Sequence, residues 1–444
     1  MLESSVSFER TGGVLKNSAP IVGLVGFCLA IGIGLANQLG YALRNNRDLL
    51  GTRITVALAV AVLVAGLVAA IGGTLNRWHY AVAVTTFGVT AAPAVSALVH
   101  GEPLLPKAVA ITLALTGAVL CAGAAKAQTI RTVAFAVMVA VVWLSLALAC
   151  KNLLFGGNLA FRNHYGPRYS EYLHIPVLSG ITGHQNTLGF FCAVALPAQW
   201  ALIRGATHRS AALTTAVKVG LLVIGPAATA VALLWTQSKT ALVAAVIGMI
   251  VVCLPLSRLT GRVWACVWAG FLAVITLAPL AVGFGGITTF TGRVEMWRYA
   301  LDDFRANPLF GYGSGFMARG GYWSNKPTFP DLFGAHNQLL DVMGRTGLLG
   351  ATCLVAFTVV LAVIAWRARA FDTRVAAGLV AVFVLTATQE TLIPLPPGAS
   401  TGLREVFIPI ALMLGLVVAS ATLMAVPRPA TQSSGAAGRA QNAQ

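Results

Sequence analysis

The sequence predicts an all-α polytopic membrane protein with about twelve transmembrane helices, and three observations predict it. Charged residues make up only 10% of the chain and hydrophobic residues 57%, against roughly 25% charged in an ordinary soluble domain. Apolar runs close to the roughly twenty residues needed to cross a bilayer as helix recur along the chain. Glycine is abundant, at 46 residues, and small side chains let helices approach closely where lipid offers no hydrophobic drive between them.

Spans are expected near 20–39, 53–73, 80–99, 107–125, 132–153, 184–203, 212–234, 240–256, 263–283, 346–366, 375–393 and 405–425. The eighth and eleventh are short. Residues 1–19 read as a cytoplasmic segment, and no small-residue cleavage pattern follows the first apolar run, so no removable leader is expected. Residues 426–444 are small, polar and aperiodic, the composition of a disordered tail.

An even number of spans puts both termini on one side, and lysine and arginine choose the side. One set of connections holds Arg77, Lys126, Arg131, Arg204, Arg209, Lys218, Arg258, Arg262, Arg367, Arg369 and Arg374, and the termini add Arg10, Lys16, Arg428 and Arg439. The short connections of the other set hold only Arg44, Arg47, Arg53, Lys107, Lys239 and Arg404. The first set, with both termini, is therefore cytoplasmic, although Arg44, Arg47 and Arg53 argue the other way. The two long connections, 154–183 and 284–345, then face outward, to the periplasm in a Gram-negative cell. Glu102, Glu171, Glu295, Asp302, Asp303, Asp331, Asp341, Glu390 and Glu405 lie in or beside outward connections and read as a hydrophilic, ion-paired surface. The net charge of +17 is split between two membrane faces, which argues against nucleic acid and for anionic membrane lipids as its partner. Cys28, Cys121, Cys150, Cys192, Cys253, Cys266 and Cys353 all sit in apolar spans without a CxxC spacing, so they read as small buried hydrophobes.

Chemistry concentrates in the outward connection 284–345. Arg293, Arg298, Arg305, Arg319, Lys326 and Arg345 surround a single histidine, His336. Cations beside one titratable base suit an anionic, phosphorylated substrate. Val294, Trp297, Ala300, Leu301 and Phe304 recur at helical spacing, with Glu295, Arg298, Asp302 and Arg305 on the other face. The spacing predicts an amphipathic helix over 291–306 that Pro308 stops. Gly311, Gly313 and Gly315 follow a helix, not a strand, so they read as a tight turn and not a nucleotide-binding fold. Glu295, Asp302 and Asp303 have arginines between them, which argues against a metal.

These residues resemble a family. Gly292-Arg293 with Trp297, the glycines at 311, 313 and 315, and His336-Asn337 followed by Gly347-Leu348-Leu349-Gly350 look like the O-antigen ligase and polymerase superfamily. Gly183-His184-Gln185-Asn186-Thr187-Leu188-Gly189 resembles that family's glycine–proline–asparagine–leucine–glycine element, with Gln185 where proline is common. Thr236-Gln237-Ser238-Lys239-Thr240 is similar to its serine–arginine element. Two departures stand out. An arginine common before the first element is missing, Val177 and Leu178 standing there, and Arg162 or Arg168 of the same connection would substitute for it. Arg345 stands where an acid is frequent, which makes that position structural.

The resemblance implies a membrane glycosyltransferase of the C-type (GT-C) fold in the bacterial inner membrane, working at the periplasmic face in lipopolysaccharide biosynthesis. The donor would be a polysaccharide on undecaprenyl pyrophosphate and the acceptor a sugar hydroxyl of the lipid A core, with inversion, no cofactor and no metal. The polymerase and the protein O-oligosaccharyltransferase share these motifs. A flippase or other transporter would need charged pathways inside the spans or internal repeats, and the sequence shows neither. In this reading His336 is the catalytic base. Arg293, Lys239, Arg162 and Arg168 hold the donor pyrophosphate, and Asn337, Asn186, His184 and Trp297 support them. Plainer roles compete for each: a helix cap for His336, surface pairing for Arg293 and Lys239, a helix-entry hydrogen bond for His184. His164, His174, Tyr165, Tyr169 and Tyr172 read as interfacial anchors or sugar-stacking rings.

Overall fold

The structure is a computed structural model. It describes residues 3–43, 50–72, 75–163, 166, 167, 169, 174–209, 215–254, 260–270, 273, 293–313, 335–368, 374–393 and 407–425. Among these, nine helices are long and apolar enough to cross a membrane, and two shorter apolar helices, Lys239–Cys253 and Arg374–Ala387, accompany them. The two short ones are the eighth and eleventh expected spans. Of the ninth, only 263–270 and 273 fall among the described residues. The fold is thus a polytopic helical membrane protein, and among the described residues nine helices, not twelve, have the length and hydropathy of a span. Residues 426–444, with the tail expected there, lie outside the described residues.

The helices run α1 (Glu3–Leu43), α2 (Gly51–Ile71), α3 (Arg77–Val99), α4 (Pro106–Ala124) and α5 (Ala127–Phe155). After a two-stranded ladder, β1 (Arg162–Asn163) with β2 (Gly166–Pro167), come α6 (Gln185–Arg209), α7 (Thr215–Leu222), a π-helical segment Val223–Ala227 and α8 (Ala228–Thr236). The seventh expected span is therefore one apolar run wound with a π-turn at Pro226, which has no N–H to donate. Then follow α9 (Lys239–Cys253), α10 (261–270), α11 (Arg293–Ala306), α12 (Gln338–Arg367), α13 (Arg374–Ala387) and α14 (Phe407–Ala425). The ladder is a small correction to the all-helical expectation.

The most buried spans are α4 and α14, each 83% buried over its most apolar window. Contact there depends on missing side chains. A Cβ on Gly117 of α4 would sit 2.7 Å from the Leu63 backbone nitrogen of α2, and one on Gly378 of α13 would sit 3.0 Å from the Gly248 carbonyl of α9. This is the small-residue packing that lipid-embedded helices use.

Helix α12 shapes the site. It begins at Gln338, eight residues before the expected boundary of the span, and is broken at Gly347, whose φ of 62° and ψ of −150° are not helical. Residues on both sides of the break, among them Gln338 and Thr358, line one apolar cleft of about 140 Å³ with Val359, Phe383, Ala387 and Thr388. Segment 308–313 runs along the break: Leu348 donates to the Pro308 carbonyl at 2.7 Å and Gly313 donates to the Arg345 carbonyl at 2.8 Å. Ser96 at the end of α3 donates to the carbonyls of Phe310 and Arg345. Gly311 and Gly313 are thus docking residues of a backbone segment, in line with the tight-turn reading; Gly315 lies outside the described residues.

Candidate active site

At one end of the bundle, four chain segments converge on Glu390. The turn that leaves α13 carries it: the Glu390 N–H donates to the Thr386 carbonyl at 2.9 Å. The turn is then held from α12. Asn337 caps that helix, its Oδ1 accepting from the Leu340 N–H at 3.0 Å, while its Nδ2 donates to the Thr388 carbonyl at 3.0 Å. The Gln338 Oε1 accepts from the N–H groups of Leu392 and Ile393 at 2.6 and 2.7 Å. The backbone around Glu390 is thereby fixed by two side chains from the residues next to His336.

The Glu390 carboxylate gathers three partners. The Asn186 amide, one residue into α6, donates to Oε1 at 2.9 Å. The Arg293 guanidinium, at the start of α11, lies 3.2 Å from the same oxygen and also donates to the Gln389 carbonyl and Oε1 at 3.0 and 2.9 Å. The His336 Nδ1 lies 3.0 Å from Oε2. Burial pushes the Glu390 carboxyl upward. That effect is outweighed by the His336 hydrogen bond and by the charges of His336, Arg293 and His184, so the group is held below its ordinary value. An ionised carboxylate only accepts, so His336 Nδ1 is the donor to Glu390, and Nε2 is the ring nitrogen not engaged by it. The His336 side chain is 33% exposed, Arg293 19% and Glu390 17%.

His336 has φ of 47°, the left-handed region a non-glycine residue seldom adopts and one that costs on the order of 1 kcal/mol or more. Its surroundings impose it. The Ala335 carbonyl accepts from the buried Trp297 indole at 3.0 Å, and the Ala335 N–H donates to Asp341 at 3.2 Å. Asp341 in turn accepts from Arg345 at 2.7 Å, both side chains being essentially buried. Arg345 is thus held in a buried ion pair with Asp341. Trp297 lies in a small apolar cluster with Ala300, Leu301, Ala335 and Leu340, so it supports His336 through the backbone.

His184 stands beside Asn186, its Nδ1 accepting the Asn186 N–H at 3.2 Å. Lys239 is exposed at the start of α9; its neighbour Ser238 packs on Gly189, one turn along α6 from Asn186. Arg162 lies in β1 with its side chain outside the described residues, and Arg168 lies outside them altogether, as do His164, Tyr165 and Tyr172. Among the described residues no group of His, Cys, Asp and Glu has the arrangement of a metal site.

Glu390 is the residue the sequence reading missed. It was placed among surface acids, yet a carboxylate closing an apolar span is costly without partners, and that was the available signal. Because its folded-state value is depressed, it stabilises the protein above the ordinary carboxylate range, and that contribution is lost as pH falls through the lowered value. The thermal midpoint gap between wild type and Glu390→Gln is therefore expected to close as pH falls below the ordinary carboxylate range. A gap that stays open there contradicts the assignment.

Residues 224–355 match the family model described as O-Antigen ligase. The Exopolysaccharide production protein ExoQ of Rhizobium meliloti (strain 1021) is 28% identical over 230 residues, 47% of this chain and 49% of that protein. The chain thus spans about half the length of this curated relative. The matched family segment contains Lys239, Arg293 and His336 but neither Asn186 nor Glu390, and the fold brings these last two to Arg293 and His336. Over residues 224–355 the chain is thus similar to the O-antigen ligase family, within a protein whose described residues form a bundle of apolar helices.

Proposed function

We propose that this protein transfers a polysaccharide from undecaprenyl pyrophosphate to a sugar hydroxyl of the lipid A core, at the periplasmic face of the inner membrane. The observation that supports it best is the Glu390 cluster, in which one carboxylate holds an imidazole and a guanidinium side by side. The acceptor hydroxyl gives its proton to His336 Nε2 as its oxygen attacks the anomeric carbon. The bond from that carbon to the pyrophosphate oxygen breaks, and the pyrophosphate leaves on its lipid. A single displacement inverts the anomeric centre. The leaving group needs charge neutralisation more than protonation, and fixed cations supply it without a metal. Arg293 meets it with the donors it does not give to Gln389 and Glu390, and Lys239, Arg162 and Arg168 are further candidates. The apolar cleft from Asn337 and Thr388 to Val359 gives the lipid a place beside the site.

Guanidinium geometry separates Arg293 from a simple charge. Arg293→Lys is expected to slow transfer about tenfold and Arg293→Ala about a hundredfold or more, with donor KM rising in both. Equal rates in all three proteins would remove the phosphate role.

A second reading has its own support: the matched ExoQ is described as an exopolysaccharide production protein, which favours a polymerase whose acceptor is another lipid-linked glycan. Purified protein in liposomes, given both lipids with and without chelator, decides between them. Glycan on lipid A core with chelator present supports the ligase, and lengthened lipid-linked glycan supports the polymerase. Lipid crossing the bilayer with no product formed points to a transporter and defeats both.

A further inference from the structure

A cavity of about 410 Å³ lies among α5, α6, α7 and α13, lined by Gln128, Arg131, Phe135, Ile203, Leu221 and Val375 among others. It is at the end of the bundle away from Glu390: about 27 Å of helix separate Asn186 from Arg204 on α6, and about 20 Å separate Val375 from Thr388 along α13. Its chemistry has two halves. Arg131 is only 4% exposed. Arg374, within electrostatic reach of Arg204, is chain neighbour to the lining residue Val375, and Arg204 is chain neighbour to the lining residue Gly205. Phe135, Leu202, Ile203, Leu221 and Val375 make an apolar wall, with Gln128 and Thr132 as the other polar members of the lining.

The wall next to lipid is unusual. The π-helical segment begins two residues after Leu221. A Cβ on its Gly225 would lie 3.5 Å from the Phe135 ring, and the Trp143 indole donates to the Ile224 carbonyl at 2.8 Å. A single π-turn inside a helix recurs at binding sites, because it re-aims the residues beside it. Val219, Val223 and Ile224 are 52%, 55% and 46% exposed, so this helix has a lipid-facing side. Arg367 and Arg77 both lie over the Trp78 ring, so the arginines at the end of α12 and the start of α3 meet in space. By the positive-inside rule all these arginines mark the cytoplasmic side.

The geometry points to a binding site for an anionic glycerophospholipid of the cytoplasmic leaflet, with its phosphate at Arg131 and the adjoining chain segments against Phe135, Leu221 and Val375. Arginine takes phosphate through its planar fork, and apolar walls beside it suit a lipid better than a free anion. Occupancy would tie together the cytoplasmic ends of α5, α6 and α13; α6 and α13 carry Asn186 and lead to Glu390 at their other ends. The inference stands apart from the transfer reaction.

Full-length protein, delipidated in detergent, is titrated with phosphatidylglycerol or phosphatidylcholine of matched chains and read by native mass spectrometry and thermal midpoint. Wild type is expected to hold phosphatidylglycerol at roughly tenfold lower concentration than phosphatidylcholine, and to gain in midpoint with it alone. Arg131→Gln and Leu221→Trp should both remove the preference, the second by filling the cavity while keeping every arginine. Arg305→Gln, exposed on α11, should leave it intact. Equal binding of the two lipids by wild type, or a preference that survives Leu221→Trp, overturns the proposal. So does displacement of the lipid by millimolar inorganic phosphate, which would assign the cavity to a free anion.

Discussion

Glu390→Gln is expected to reduce glycan transfer by about 10³-fold while leaving the protein folded at neutral pH, and His336→Ala by a similar factor. The carboxylate oxygens accept from Asn186, Arg293 and His336 at once. A glutamine offers one carbonyl oxygen and one amide. If the oxygen keeps Arg293, the amide faces His336 and donates to Nδ1, which puts the remaining ring proton on Nε2. The base is then blocked by its own proton, and the imidazolium formed on proton transfer loses its counter-charge. Glu390 is a positioning residue, so the double variant should be no slower than His336→Ala alone, because the second change removes support for a group already gone. Initial rates for the four proteins test this. Multiplying losses would show that Glu390 acts on the substrates independently of His336.

The parts of this site visible in the sequence were those whose chemistry is written locally. His336 stood out as the only histidine among cations, Arg293 by its place at the start of an amphipathic run, and Asn186 by the resemblance of residues 183–189 to a family element at a span entrance. Composition and run length gave the helical membrane class for the same reason, since lipid imposes its requirement on each segment separately. Glu390 was not legible because its role exists only across chain separations of 204, 97 and 54 residues. A run-length count ends α13 without asking what its last turn faces. The break in α12 was hidden similarly: Gly347-Leu348-Leu349-Gly350 continues an apolar helical pattern, and only the docked segment 308–313 explains the left-handed glycine. Arg345, by contrast, was read as structural from the sequence, and its buried pair with Asp341 supplies the mechanism. The sequence placed the start of the tenth span at 346 because polar Asp341 and Arg345 precede it, yet those two satisfy each other inside the layer and let the helix begin at Gln338.

Gly347→Ala is expected to destabilise the protein by about 3 kcal/mol or more and to remove transfer with it. Two effects add. A φ of 62° with ψ of −150° is open essentially to glycine alone. The new Cβ would also sit 2.5 Å from the Leu309 carbonyl carbon and 2.6 Å from the Phe310 nitrogen, backbone atoms that cannot swing aside as a side chain can. Moving segment 308–313 away breaks its bonds to Gly344, Arg345, Leu348 and Leu349 and strands polar backbone groups at the edge of the membrane, where water does not readily replace them. Straightening α12 instead would carry Asn337 and Gln338 away from the turn they clamp, and Glu390 with it. Either relaxation takes His336 off its carboxylate, so the loss of activity should persist at temperatures where the variant is still folded. Gly32→Ala is the matched control: it lies within α1 with nothing within 4 Å of a new Cβ, and its midpoint should stay within a degree or so of wild type, as expected for a helical glycine replaced without strain. A Gly347→Ala protein with wild-type midpoint and rate would show that the break in α12 is dispensable, and the clamped geometry around Glu390 would lose its structural basis.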